Sequence, residues 1–195
     1  MRQRTQWAAV AAAFAGLTAC DQGSADARFL EQVSAAAVAS APDPAAARTL
    51  VVLGSARKGK ACGWMDTGGG RGVAPFAATE RKGGPFHIRM PDVTAVDPEG
   101  QVRRAYETQF VMVICDDHGW LAPTPDGVVR RPQVDAALKR LVQTPGKGWV
   151  VIPAIGTPGY VGVAKASSGG VRLSPVLASE AEVQAWIDGP GAEAR

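Results

Sequence analysis

Apolar residues recur with two different periods along this chain, and the change of period divides it. Over residues 28–41, RFLEQVSAAAVASA, the positions Phe29, Leu30, Val33, Ala37 and Val38 follow a helical spacing that stops before Pro42 and Pro44. From residue 49 the runs become short and are bounded by Gly or Pro. They read 49–54 (TLVVLG), 60–66 (KACGWMD), 73–80 (VAPFAATE), 84–90 (GPFHIRM) and 109–115 (QFVMVIC). Short apolar runs joined by local turns predict an antiparallel meander. The helical period returns at 131–144, RPQVDAALKRLVQT, where Val134, Leu138, Leu141 and Val142 form a stripe and Gly146 follows. Strand-like runs at 148–153, 159–164 and 170–174 come next. A last helix is predicted over 179–187, with Ser179 and Glu182 spaced as a capping box. The predicted fold class is therefore α+β: an N-terminal helix, an antiparallel β-meander and a C-terminal helix–strands–helix portion.

The first twenty residues, MRQRTQWAAVAAAFAGLTAC, follow neither pattern. Arg2 and Arg4 precede an apolar stretch from Trp7 to Leu17 that is too short to span a bilayer. A basic start, a short apolar core and small residues at the exit describe a secretory signal. The exit, Leu17-Thr18-Ala19-Cys20, resembles the lipobox of bacterial lipoproteins. That resemblance implies a thioether-linked diacylglycerol on Cys20, cleavage before it and further acylation, palmitate included, of the new N-terminus. It also implies a protein lipid-anchored to a bacterial membrane and facing the periplasm, with the membrane as partner through the lipid on Cys20. The domain reading becomes 1–19 signal peptide, 20–28 tether, 29–122 α+β module, 123–188 C-terminal αβ portion, either separate or part of the same domain, and 189–195 frayed tail. The segment 120–130 reads as a hinge.

Export changes the meaning of the cysteines. With Cys20 assigned to lipid, Cys62 and Cys115 remain as a pair, and in an oxidising envelope such a pair is most simply a disulfide. Two free thiols, or one reactive thiol, are the alternative. Charge narrows the partners further. Without Arg2 and Arg4, 19 basic residues face 18 acidic ones, a near balance that argues against a dedicated nucleic-acid binder.

Export also bears on the stretch Gly54-Ser55-Ala56-Arg57-Lys58-Gly59-Lys60-Ala61, which differs from a phosphate-binding P-loop at Ala61 alone. Ala61 lacks the hydroxyl that would hold Mg²⁺, and the Gly-rich sequence that follows is poor helix material. The stretch reads as a solvated basic turn between strands, with no nucleotide; its functional variant is a contact to anionic lipid headgroups or wall polymer. No cofactor is expected. The most site-like cluster is Cys115-Asp116-Asp117-His118. With His87, these acids and imidazoles could form a divalent-metal site or supply a base for a hydrolase. Consecutive residues leaving a strand point in different directions, so a polar turn is the simpler reading. No G-x-S-x-G elbow is present, and Ser167-Ser168-Gly169-Gly170 reads as a hairpin turn.

Residues 62–76, CGWMDTGGGRGVAPF, are similar to a pattern in small, mostly uncharacterised exported bacterial proteins. There a Cys-Gly-x-apolar-Asn segment leads into Gly-rich residues and an aromatic, and a short helix and an Asp-Pro precede the first strand. Here Asp43-Pro44 precedes 49–54, and Asp66 stands where Asn is usual. The resemblance covers 29–116 and implies a small exported α+β domain with a Cys pair and no established chemistry. The combined expectation is a tethered, non-enzymatic envelope module, either structural or an interaction module with an envelope protein as partner. A small exported metal-binding protein or hydrolase is the alternative.

Overall fold

The computed structural model describes residues 6–190 apart from 83, 121, 127, 144–147 and 167–169, with side chains from residue 23 onward. Helix α1 (Gln6–Ala39) lies along a four-stranded antiparallel sheet of order β1-β2-β3-β4, with β1 (Arg48–Ser55), β2 (Lys60–Asp66), β3 (Val73–Thr79) and β4 (His87–Arg89). Phe29, Val33 and Ala37 of α1 are buried against Ala61, Met65, Phe76 and Ala78 on one face of this sheet. The alternation of a strand then sends Cys62, Trp64 and Ala77 to the opposite face. Both faces are covered, which is why β2 and β3 read as continuous apolar runs and not as alternating ones. At Gly63 the sheet leaves no room for a side chain: a Cβ there would lie 2.2 Å from the Val51 carbonyl oxygen and 2.7 Å from the Phe76 ring.

Residues 20–28, expected as a tether, are helical. They continue α1, and Asp26 Oδ1 accepts a 2.7 Å hydrogen bond from the Ala56 amide. The P-loop-like stretch is the end of β1, a 3-10 turn (Ala56–Lys58) closed by Gly59 at φ 59°, and the start of β2; no helix follows Lys60. The basic turn expected there is thus observed.

The run 109–115 is not a strand. It is the second half of α2 (Pro98–Asp117), so Cys115 sits on a helix and not on the sheet. The reason begins a dozen residues upstream. Asp97 caps the helix by accepting from the Gly100 amide at 2.8 Å, and Pro98 occupies the first turn, where its missing N–H costs nothing. Once started, the helix runs through the core. Gln109 to Cys115 are all buried, so no polar face survives to show the 3.6-residue period. The signal lies upstream of the run, at Asp97 and Pro98.

Beyond α2, helix α3 (Pro132–Gln143) buries Val134, Ala137, Leu138 and Leu141. A second antiparallel sheet follows, β5 (Trp149–Pro153), β6 (Tyr160–Lys165) and β7 (Val171–Leu173), and helix α4 (Glu180–Asp188) closes the chain. Ile152, Val161, Val163 and Val171 pack toward α2 and α3. On the other face Gly162 lies beneath Trp149, Val183 and Ile187. The order of layers is α1, first sheet, α2 with α3, second sheet, α4. Cys62 and Phe110 share one core with Leu138 and Val163, so the portions 29–122 and 123–188 form a single packed unit. Within the segment expected as a hinge, Val129 is tied to α2: Gln109 Nε2 donates to its carbonyl at 3.2 Å. Residues 191–195 of the expected tail, and Ser167 to Gly169 of the expected turn, lie outside the described residues.

Candidate functional site

The Cys-Asp-Asp-His cluster terminates α2, and the helix end disperses it. His118 is the C-cap, its amide bonded to the Ile114 carbonyl at 3.2 Å. Asp116 Oδ2 receives Arg130 Nη2 at 3.3 Å, and Arg130 is also paired with Asp135. Asp117 Oδ1 accepts from Gln143 Nε2 at 3.1 Å. His87 belongs to β4, where its Nδ1 accepts from Arg81 Nη2 at 3.1 Å. Burial, Arg81 and Arg89 lower its pKa from the ordinary histidine value. The Sγ atoms of Cys115 and Cys62 lie at disulfide distance, their Cα atoms 5.7 Å apart and both residues buried. In that state neither is a thiolate nucleophile. Among the described residues, no three His, Cys, Asp or Glu side chains converge as metal ligands do.

What the helix end does assemble is a basic and aromatic pocket. Gly119, at φ 74°, reverses the chain so that the Trp120 amide bonds back to the Cys115 carbonyl at 3.0 Å. Trp120 then lies 6.0 Å from the His118 ring, with Lys58 Nζ 4.9 Å from its centroid in a cation–π contact. Lys58, Lys60, Asp117, His118 and Trp120 enclose a cavity of about 310 Å³. Burial, then Lys60, lower the His118 pKa, with Lys58 adding to this and Asp117 opposing it. The imidazole is therefore neutral at pH 7. Trp120 is half-buried, as are Phe86, Trp149, Tyr160 and Trp186.

A larger feature, absent from the sequence reading, lies at the other end of the first sheet. A groove of about 940 Å³ runs along α2, floored by Gln101, Arg104, Ala105 and Thr108, spaced to share one helix face. The β2–β3 turn forms one wall. Gly68, Gly69, Gly70 and Gly72 all take positive φ there, a conformation that side-chain-bearing residues avoid. Arg104 Nη2 fixes this turn by donating to the Arg71 carbonyl at 2.9 Å. The opposite wall is formed by Asp126, Val128, Val129 and Arg131. Val96 and Val129, 85% and 63% exposed, make its rim unusually apolar. Among the described residues, Arg71, Arg104 and Arg131 have no carboxylate within salt-bridge distance. The three arginines are far apart in sequence, and only α2 as a helix brings them together. No local motif could announce them.

No protein-family description, curated protein sequence or solved structure matches this chain.

Proposed function

We propose that the protein is a lipid-anchored envelope module that acts by binding, not by catalysis, and is tethered through acylated Cys20. The observation that carries this reading is the opposition of its two ends. Asp26 holds α1 at the β1–β2 turn, so Cys20 lies beyond that end of the sheet. The groove lies past the other end, beside the β2–β3 turn. Strand β2 alone, Lys60–Asp66, separates the two by about 20 Å. An anchor at one end and an open, cationic and apolar groove at the other suit a protein that presents a binding surface to the periplasm. The pair Cys62 and Cys115 suits an oxidising compartment.

The alternative, a small exported metal-binding protein or hydrolase, draws less support. Asp116, Asp117 and His87 each hold a different partner within the fold. Tight stoichiometric divalent-metal binding that is lost on His118→Ala would restore it. The direct test of the favoured reading is the intact mass of membrane-extracted protein, alkylated before and after reduction. The expected result is a chain starting at diacylated Cys20, with two thiols appearing only after reduction. An unacylated N-terminus would refute the anchor.

A further inference from the structure

We infer that the end of the domain carrying Arg57, Lys58, Lys60 and Trp120 is a membrane-docking face that rests on the anionic lipid headgroups of the bilayer holding the anchor. This inference rests on acylation of Cys20. Its geometry comes from α1. Three contacts fix the helix direction along the sheet: Asp26 on Ala56 at the end of β1, Phe29 on Phe86 at 5.5 Å before β4, and Ser34 on Thr49 at 2.6 Å at the start of β1. The helix therefore runs antiparallel to β1, and its N-terminal part leaves the domain past the β1–β2 turn. Cys20 precedes Asp26 by six residues, about 9 Å of helix. Acyl chains in the bilayer hold Cys20 near the headgroups. The turn is then about one Debye length from the lipid phosphates, close enough for its charges to act.

The surface facing that way has the composition such contact needs. The β1–β2 turn supplies Arg57 and Lys58, both exposed, and Lys60 at its edge. The β3–β4 turn adjoins it through the Glu80 amide, which donates to the Gly59 carbonyl at 2.8 Å, and adds exposed Arg81 and Lys82. Among the described side chains of this end, Glu80 and Asp117 are the opposing acids, while Asp116 is paired with Arg130 and Asp26 caps Ala56. Half-buried Trp120 sits among the cations beneath Lys58. Tryptophan and lysine together favour the headgroup layer, where the ring meets the acyl boundary and the ammonium meets phosphate. The chain as a whole is nearly balanced in charge, so the bias of this end is local. The acyl chains on Cys20 supply the anchoring themselves, since two chains hold where one is marginal. The basic face instead sets orientation, holding the groove away from the bilayer.

The test uses acylated protein extracted from membranes and reconstituted into vesicles of brominated lipid. One set is neutral phosphatidylcholine; the other contains roughly a third phosphatidylglycerol, whose charge attracts basic residues. The expected result is quenching of tryptophan fluorescence in the anionic vesicles that disappears in neutral vesicles, in high salt and in Trp120→Phe. Each basic residue near an anionic surface strengthens binding by about fivefold. The combined Arg57→Gln, Lys58→Gln and Lys60→Gln variant should therefore lower the docked-to-undocked ratio by about a hundredfold. The salt titration of the unaltered protein stands by itself if that variant misfolds. Equal quenching in both vesicles, or none in either, overturns the docking face. Quenching abolished by a stoichiometric soluble anionic polysaccharide at constant ionic strength would transfer the face from membrane to polymer. Protein that fails to float even with neutral vesicles refutes the Cys20 anchor instead, so the two failures are distinct.

Discussion

Replacing both Cys62 and Cys115 by alanine should remove a large part of the stability of this fold. The pair joins β2 to α2 across 53 residues of chain, a span that contains β3, β4 and most of α2. Closing a loop of that length restricts the unfolded chain by about 4 kcal/mol at 25 °C in the chain-entropy treatment. Both residues are buried at the seam between the first sheet and α2, among Ala77, Phe110 and Val111. Deleting the sulfurs leaves small voids, worth about 1 kcal/mol more. The sum is a substantial fraction of the 5–15 kcal/mol that holds a typical domain together. The double variant avoids a lone thiol that could pair wrongly. The assay is equilibrium urea unfolding of the bridged protein and the variant, followed by tryptophan fluorescence and circular dichroism. The midpoint should fall sharply, and the slope should rise because an uncrosslinked chain exposes more surface when unfolded. A loss below about 1 kcal/mol with an unchanged slope would show that the bridge does not constrain the unfolded chain, and the reasoning would fail.

Four smaller perturbations test other joints. Gly63→Ala forces a methyl against the Val51 carbonyl and the Phe76 ring; it should cost about 3 kcal/mol or more in urea unfolding, whereas Gly70→Ala meets no neighbouring atom and should suffer only from its positive φ. Tyr106→Phe leaves the buried Ile155 amide without the hydroxyl that accepts from it at 2.7 Å, a loss of about 1–3 kcal/mol with the fold intact. Ser179→Ala breaks the capping box of α4 and should cost about 1 kcal/mol, seen first as faster amide exchange over 180–188. Burial and the nearby lysines hold the His118 pKa below its unfolded value near 6.5, so its contribution is full above about pH 6.5 and is lost as pH falls through the folded pKa. Urea midpoints at pH 7.5 and 5.5 should therefore converge in His118→Asn relative to the unaltered protein, and parallel shifts in both would refute this coupling.

Much of the fold can be read in the sequence because most elements carry their own punctuation. The glycine-rich breaks mark the meander, Pro42 and Pro44 end α1, and Ser179 with Glu182 starts α4 within a residue of its observed position. Helix α2 escapes because its two halves send different signals. Its first half, PEGQVRRAYET, looks polar and irregular, and its second half, QFVMVIC, looks like a strand. An apolar run of this length has no period to distinguish a buried helix from a buried strand. The Asp97-Pro98 start decides it, and that signal lies outside the run. The cost of missing α2 was not confined to one element. Read as a strand, 109–115 put Asp116, Asp117 and His118 on a turn and left the groove invisible.

Helix α2 also accounts for the separation of the two candidate surfaces. Its C-terminus sets His118 and Trp120 over the basic turn past which α1 leaves the sheet. A largely half-buried face nearer its N-terminus, from Gln101 to Thr108, floors the groove. A single rod, bridged to β2 through Cys115 and buried at Tyr106 and from Gln109 to Cys115, therefore fixes the distance and the relative orientation of both. Small side chains make this possible: Ala78 and Ala77 let α1 and α2 approach the sheet closely from its two sides, and Gly63 leaves room for the Phe76 ring. If α2 were a docked surface helix, a ligand in the groove could tilt it and loosen the contact of Trp120 with Lys58. Packed between two sheets, the rod resists such motion, because a dense core does not deform by small increments. Ligand in the groove and lipid at the opposite end should then bind independently. Occupying one should change the affinity of the other by less than about twofold, a coupling at the edge of detection. Measured coupling of tenfold or more would show that α2 moves as a lever, and that the two ends of the domain communicate.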